Sequence, residues 1–283
     1  MANVDDKHPN SGQIDEKALI EKLKAEHKQT EIKTSKFPTE VIDLPSKGLL
    51  YPEGHPLRNG TIEMKYMTAR EEDILSSPNL IKKGIVIDKL LESMIITPVN
   101  YNDLLVGDKN AIMVASRILG YGKEYPVKVT CNDCKEENKV TIDLTTIDDK
   151  TIDETLYTNG NEFGFTLPTS KREVTFKLLT HGMEQTVKTE LSGKKTDKSG
   201  VNKELTTRLK HLITSVDGNT DRILINNFVE NELLARDSKA LRDYVTEIQP
   251  DIDLTFNFVC NECGEDNNDV NLPISVDFFW PAS

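Results

Sequence analysis

No stretch of this sequence approaches the ~20 uninterrupted apolar residues that a membrane-crossing helix needs, so no membrane partner is expected. The opening MANVDDKHPNSGQIDEK has no apolar core behind a basic start, so a secretory signal is not expected either. Basic residues are also short: the formal net charge is −12. Residues 1–36 hold seven Lys/Arg and seven Asp/Glu, which leaves 28 basic against 40 acidic residues on the rest. Nucleic acid is normally met by a basic field. Here the field has the wrong sign, and direct phosphate binding is disfavoured.

Catalytic signatures are missing too. Five histidines show no HExxH pattern. Gly120-Tyr121-Gly122 lacks the third glycine of a phosphate loop and leads into a strand, so it reads as a helix end. Asp217-Gly218-Asn219-Thr220-Asp221 imitates the start of a calcium loop. Arg222 stands where the sharp turn needs glycine, and Phe228 where the loop needs Glu. A helix–helix turn with Asx caps is expected there. Asn59-Gly60-Thr61 reads as a turn entering a strand rather than a glycan acceptor. Arg70-Glu71-Glu72-Asp73 reads as the solvated first turns of a helix. His181 reads as a structural or surface residue. No nucleophile–base arrangement stands out, and no enzyme is expected.

What is present is internal likeness. Residues 103–134, DLLVGDKNAIMVASRILGYGKEYPVKVTCNDC, align without a gap to 232–263, ELLARDSKALRDYVTEIQPDIDLTFNFVCNEC, at an offset of 129. Leu104/Leu233, Leu105/Leu234, Asp108/Asp237, Ala111/Ala240, Cys131/Cys260, Asn132/Asn261 and Cys134/Cys263 are identical. Upstream, TIEMKYMTAREE (61–72) faces EVTFKLLTHGME (173–184), and LPSKG (44–48) loosely faces LPTSK (167–171). The expected fold is therefore α+β and internally duplicated, with two pseudo-symmetric halves each made of helices and a β-hairpin. Residues 1–36 read as a polar, flexible tail and 37–60, rich in Pro and Gly, as an extended arm with turns. The first half then spans 61–150 and the second 151–283, with a polar insertion near 192–202. Thr68 and Thr180 are placed to cap helices over 68–77 and 181–191. Further helices are expected over 86–96, 204–215 and 220–235, and two more opened by Asp108 and Asp237.

All four cysteines fall in two CxxC pairs, Cys131/Cys134 and Cys260/Cys263, each between strands. Thiolates two residues apart at a β-turn point the same way, and two such knuckles complete a closed tetrahedral site of the structural zinc type. The long separation weakens this reading; the duplication strengthens it, because matching hairpins can meet on a shared axis. One zinc there would clamp half to half across a long chain closure. Three other readings stay open. A redox pair would want the first cysteine at a helix N-terminus, disulfides would want an oxidising compartment, and four unliganded core cysteines would want only space.

The ending VDFFWPAS sets Phe278, Phe279 and Trp280 before a proline. With Leu49 and Tyr51 of LPSKGLLYP, these serve as core packing or as anchors for a partner. In order, VIDLPSKGLLYPEGHPL, GTIEMKYMTAREEDIL, DKLLESMI, DLLVGDKNAIMVASRILGYGKEY, SKREVTFKLLTHG, ELTTRLKHLITSVDG, NELLARDSKALRDYV and the FFWP ending resemble the baseplate hub and hub-assembly family of T-even-type contractile-tailed phages. The resemblance covers roughly 37–283. It implies a non-enzymatic late viral protein, a hub subunit or assembly chaperone, whose partners are hub and tape-measure proteins. It places the chain in the host cytoplasm during assembly, with the tail baseplate of the virion as a further location. The zinc expectation rests on the cysteines alone. A zinc-bearing nucleic-acid or regulatory module is the alternative.

Overall fold

The loosely matched LPSKG and LPTSK segments each fold over the first turn of a long helix, and a buried carboxylate receives them there. The computed structural model describes residues 37–193, 202–274 and 276–279. The chain divides into residues 1–38 and 39–283, and the elements described here belong to the second unit. The expected tail over 1–36, most of the polar insertion near 192–202, and Trp280 lie outside the described residues.

The Pro/Gly arm contains more regular structure than its composition suggested. Strand β1 (Thr39–Asp43) pairs antiparallel with β2 (Thr61–Lys65). Between them the chain turns tightly, with Gly48 at φ +74°, where a Cβ would meet the carbonyl oxygens of Leu57 and Arg58 at 2.5 Å. Only glycine fits that close approach. Ile62 and Met64 alternate into the core from β2.

Helix α1 (Ala69–Leu75) follows, then α2 (Pro78–Lys83), which the sequence reading missed, and α3 (Val86–Met94). At α1 the Thr68 backbone N–H donates to Glu71 Oε2 at 3.0 Å and the Thr68 hydroxyl at 2.6 Å. Lys65 Nζ donates to Glu71 Oε1 at 2.8 Å. These donors hold Glu71 fully buried (0% exposed), an exception within the expected solvated turn, whose Arg70, Glu72 and Asp73 are exposed. Helix α3 buries Val86, Leu90, Leu91 and Met94, one face at helical spacing.

Helix α4 (Val106–Tyr121) begins two residues before Asp108, so Leu105 rather than Asp108 occupies the cap position. Asp108 instead turns inward and accepts from Ser46 N–H at 2.9 Å, Ser46 hydroxyl at 2.7 Å and Tyr51 hydroxyl at 2.7 Å. Asp237 behaves alike. It lies in the first turn of the last long helix, α8 (Ala235–Ile248), and accepts from the backbone N–H groups of Thr169 and Ser170 at 2.6 and 2.9 Å. A carboxylate in a helix's first turn also meets the positive end of its dipole.

Strands β3 (Glu124–Thr130) and β4 (Glu137–Asp143) form one antiparallel hairpin. Strands β5 (Phe163–Thr166), β6 (Glu173–Phe176) and β7 (Ile213–Val216) form a three-stranded sheet, and β8 (Thr255–Val259) with β9 (Asp266–Asn271) a second hairpin. Helix α5 (His181–Gly193) starts beside Thr180, whose hydroxyl accepts from the Met183 N–H at 3.4 Å. Helix α6 (Glu204–Leu212) ends three residues before the expected 215. Ile213 and Val216 are buried and β-branched, and they join β6 instead. Helix α7 (Arg222–Asn227) runs into a π-helical turn, Phe228–Glu232. The 217–221 segment is a tight turn from β7 into α7 rather than a turn between helices. Val216 and Asn219 bridge across it, and Asp221 caps α7 through Ile223 N–H at 2.9 Å. Helices and small antiparallel sheets together make the fold α+β.

Contacts between distant segments hold the body together. Lys150 N–H donates to Asp251 O and Asp253 N–H to Asp148 O, each at 2.8 Å. The Tyr125 hydroxyl donates to Pro273 O at 2.8 Å, and its ring meets Phe278 edge-on at 4.9 Å. A Cβ on Gly107 would lie 1.8 Å from Pro250 O, so the α4 entry packs backbone against backbone. A polar cluster joins α3, α4 and α5. Asp88 accepts from Lys109 Nζ at 2.5 Å, Tyr101 hydroxyl at 3.1 Å and Gln185 Nε2 at 3.1 Å. Lys109 Nζ also sits 3.1 Å from Nδ1 of buried His181. Burial, and then the Lys109 charge, hold His181 below the usual imidazole value.

Two outcomes are expected. Asp108→Ala strands the Ser46 and Tyr51 donors in the core and should lower unfolding free energy by about 3 kcal/mol. Asp237→Ala should cost a similar amount, both read from urea midpoints. For His181, the unfolded imidazole binds protons more readily than the folded one. Stability is therefore complete above about pH 6.5, falls as pH drops from there to the folded value, and loses nothing more from this group below it. His181→Gln should remove that slope from unfolding curves measured between pH 7.5 and 5.

Candidate metal centre

Each CxxC occupies the tip of a hairpin, and the same local bonds shape both tips. Cys131 N–H donates to Glu136 O at 3.0 Å, and Cys260 N–H to Glu265 O at 2.9 Å. Chain reversal needs a left-handed residue just after the second cysteine. Gly264 supplies it at φ +77° and Lys135 at φ +63°, the latter against a cost of about 1–2 kcal/mol for a side chain in that region.

The two tips face each other. All four sulfurs lie within 4.8 Å of one another. Cys131 Sγ is 3.7 Å from Cys263 Sγ, and Cys134 Sγ is 3.6 Å from Cys260 Sγ. A disulfide needs about 2.05 Å, and the four are free thiols. Sulfurs about 2.3 Å from a central ion at tetrahedral angles stand about 3.8 Å apart. The donor set and its spacing therefore fit a soft divalent cation with a closed coordination sphere. Cys131 and Cys260 are buried, Cys134 half-buried and Cys263 exposed.

Electrostatics splits the quartet. Burial opposes the Cys131 thiolate, but N–H groups of Asp133 and Cys134 and the Asn267 amide outweigh it and pull the thiol down. The Cys263 N–H leads the donors that hold Cys260 down at about 6. The N–H of Glu136 favours the Cys134 thiolate and that of Glu265 the Cys263 thiolate. Burial and sulfur neighbours prevail at both, and Cys134 is pushed up to about 12. The local donors thus favour the thiolate at Cys131 and Cys260 and the thiol at Cys134 and Cys263.

Asn138 and Asn267, which the sequence reading missed, complete the site. Asn138 Oδ1 accepts from Asn261 N–H at 2.8 Å, and Asn267 Oδ1 accepts from Asn132 N–H at 2.8 Å. Their amide groups point at sulfur across the interface, Asn138 Nδ2 at Cys260 Sγ (3.4 Å) and Asn267 Nδ2 at Cys131 Sγ (3.5 Å). Each is 2% exposed. A signal existed, because the 129-residue spacing continues past the cysteines to Glu136/Glu265 and Asn138/Asn267.

The aromatic candidates fall elsewhere. Tyr51 is 4% exposed and bonded to Asp108, and Phe278 and Phe279 are wholly buried. Their surface is spent on the chain's own core, because Tyr51 finds a buried acceptor and Phe278 a ring partner in Tyr125. Leu49 is half-buried and lines an open cleft of about 640 Å³ with Pro52, His55, Arg58, Asn161 and Lys177.

No curated protein matches the chain, and no solved structure does. A family model described as T4 bacteriophage base plate protein matches residues 38–280, nearly the whole of the described fold. The chain belongs to the T4 bacteriophage base plate protein family.

Proposed function

We propose that this chain is a non-enzymatic component of the hub region of a contractile phage tail baseplate, a hub subunit or hub-assembly chaperone, held in shape by one structural zinc ion. Family membership carries the baseplate role. The sulfur quartet supports the zinc reading: four thiols from two knuckles, all within 4.8 Å of one another, would leave no coordination position of a tetrahedral ion open for chemistry. Zinc would be held by Cys131, Cys134, Cys260 and Cys263, and would close a loop of more than a hundred residues between knuckles.

The two halves are read as copies of one ancestral module. Support comes from paired features at a 129-residue spacing: the helix-entry carboxylates Asp108/Asp237, the left-handed Lys135/Gly264 and the amides Asn138/Asn267. Partners are hub and tape-measure proteins met in the host cytoplasm and, in the finished particle, at the tail. Leu49, which lines its cleft, is the contact offered to them, with Trp280 as a second, while Tyr51 supports the cleft from within. The net charge of −12 speaks against the alternative of a nucleic-acid module.

Metal analysis of full-length protein, purified under reducing conditions without chelator, should return about one zinc per chain. Cys131→Ser and Cys260→Ser should lose it and lower the melting temperature by about 10 °C, which a ligand contribution of a few kcal/mol produces at this size. A wild-type preparation without zinc overturns the metal assignment. Affinity capture from infected cells should bring down hub or tape-measure proteins, and Leu49→Asp should weaken that recovery. A chain that stays alone at every stage of infection overturns the assembly role.

A further inference from the structure

Within the zinc reading, on which this inference rests, we propose that Asn138 and Asn267 are reciprocal positioning residues that dock the two knuckles before the ion arrives. The metal then enters a preassembled cross-half site rather than gathering two separate hairpins.

The geometry is reciprocal. Asn138 lies on β4 opposite Val129, and Asn267 on β9 opposite Phe258. Each side chain serves both hairpins at once. Asn138 Nδ2 donates within its own hairpin to Glu136 O at 3.2 Å, and Asn267 Nδ2 to Glu265 O at 3.1 Å. Those carbonyls also receive the N–H groups of Cys131 and Cys260, so the amides are fixed to the backbone that shapes each tip. The oxygen of each then reaches the opposite tip and takes the N–H that follows its first cysteine, while the nitrogen faces that cysteine's sulfur. The orientation of both amides follows, because turning either one over would set NH2 against N–H.

Two consequences separate this role from ordinary packing. None of these bonds needs a metal, so docking survives its removal. The amide donors also end on the two most buried sulfurs, Cys131 and Cys260. Hydrogen bonds to a ligand atom tune its donation to the ion, and losing such a partner commonly costs about 10–100-fold in metal affinity.

The experiment uses full-length wild type, N138A, N267A and N138D, each studied metal-free and with zinc or cobalt. Hydrogen exchange of the metal-free wild type should show protected Asn132 and Asn261 amides. Asn267→Ala should release Asn132, and Asn138→Ala should release Asn261. Asn138→Asp should keep Asn261 protected, since a carboxylate oxygen still accepts there, yet lose the donor to Cys260. Zinc competition against a chelator should show a drop of about 10–100-fold in every variant. The thiolate-to-cobalt absorption band should move to longer wavelength in all three variants, a change that loosened packing alone would not produce. Unprotected amides in the metal-free wild type, or variants matching its affinity within twofold, overturn the inference while leaving zinc binding intact. A wild type that takes up neither zinc nor cobalt overturns the zinc reading, and this inference falls with it.

Discussion

Four sulfurs within 4.8 Å of each other cannot all carry negative charge unless something positive stands among them. Coulomb repulsion between thiolates at such distances is large in a partly desolvated site; N–H donors favour the charged form at Cys131 and Cys260, while burial and sulfur neighbours disfavour it at Cys134 and Cys263. Backbone and amide N–H groups already stabilise two charges, and a divalent cation would stabilise the others. Where the hairpins approach, each tip presents donors and acceptors to the other, so the polar lining of the site is satisfied as the sulfurs meet.

The rest of the body places the hairpins by a related device. Buried carboxylates at helix entries, Asp108 and Asp237, fasten loops that arrive from 62 and 67–68 residues away. Asp88 gathers donors from three further segments, and Glu71 ties β2 to α1. Buried carboxylates of this kind add little net stability compared with apolar packing, but they punish misplacement severely, since a lost partner leaves a buried polar group unsatisfied. That penalty fixes helix entries and, through them, the strands that carry the cysteines. Leu104 and Leu105 show the coupling directly. Leu104 O accepts from His181 N–H while Leu105 N–H donates to the Tyr51 hydroxyl, so the α4 entry, the α5 entry and the LPSKG loop share one set of bonds.

Much of the sulfur site was legible in sequence because CxxC spacing and the 129-residue register are one-dimensional signals. Helix α3 was legible too, since its apolar residues recur at the helical period. What escaped was the consequence of partners that sequence does not announce. Glu71 looked solvated because nothing local reveals that Lys65 and Thr68 would converge on it. The α6 helix looked longer because Ile213–Val216 are compatible with either period until β6 lies alongside. Phe278 and Tyr51 were open between core and partner surface, and only a neighbouring ring and a buried carboxylate favoured the core. Asn138 and Asn267 carry no apolar signature, so their importance appears only when the register is followed past the last cysteine.

The order of the ligands along the chain has a physical consequence for a protein that joins a larger assembly. The second knuckle lies more than a hundred residues beyond the first, so under the zinc reading the site closes only after residue 263 has been made and both hairpins have folded. Closing a long loop costs entropy that grows slowly with length, and a coordination bond set is large enough to offset it. A chain truncated before the second knuckle gains none of that closure. Metal ligation would then act as a late test of completeness, locking only chains whose two halves are present and docked, before their outer surfaces meet other baseplate proteins.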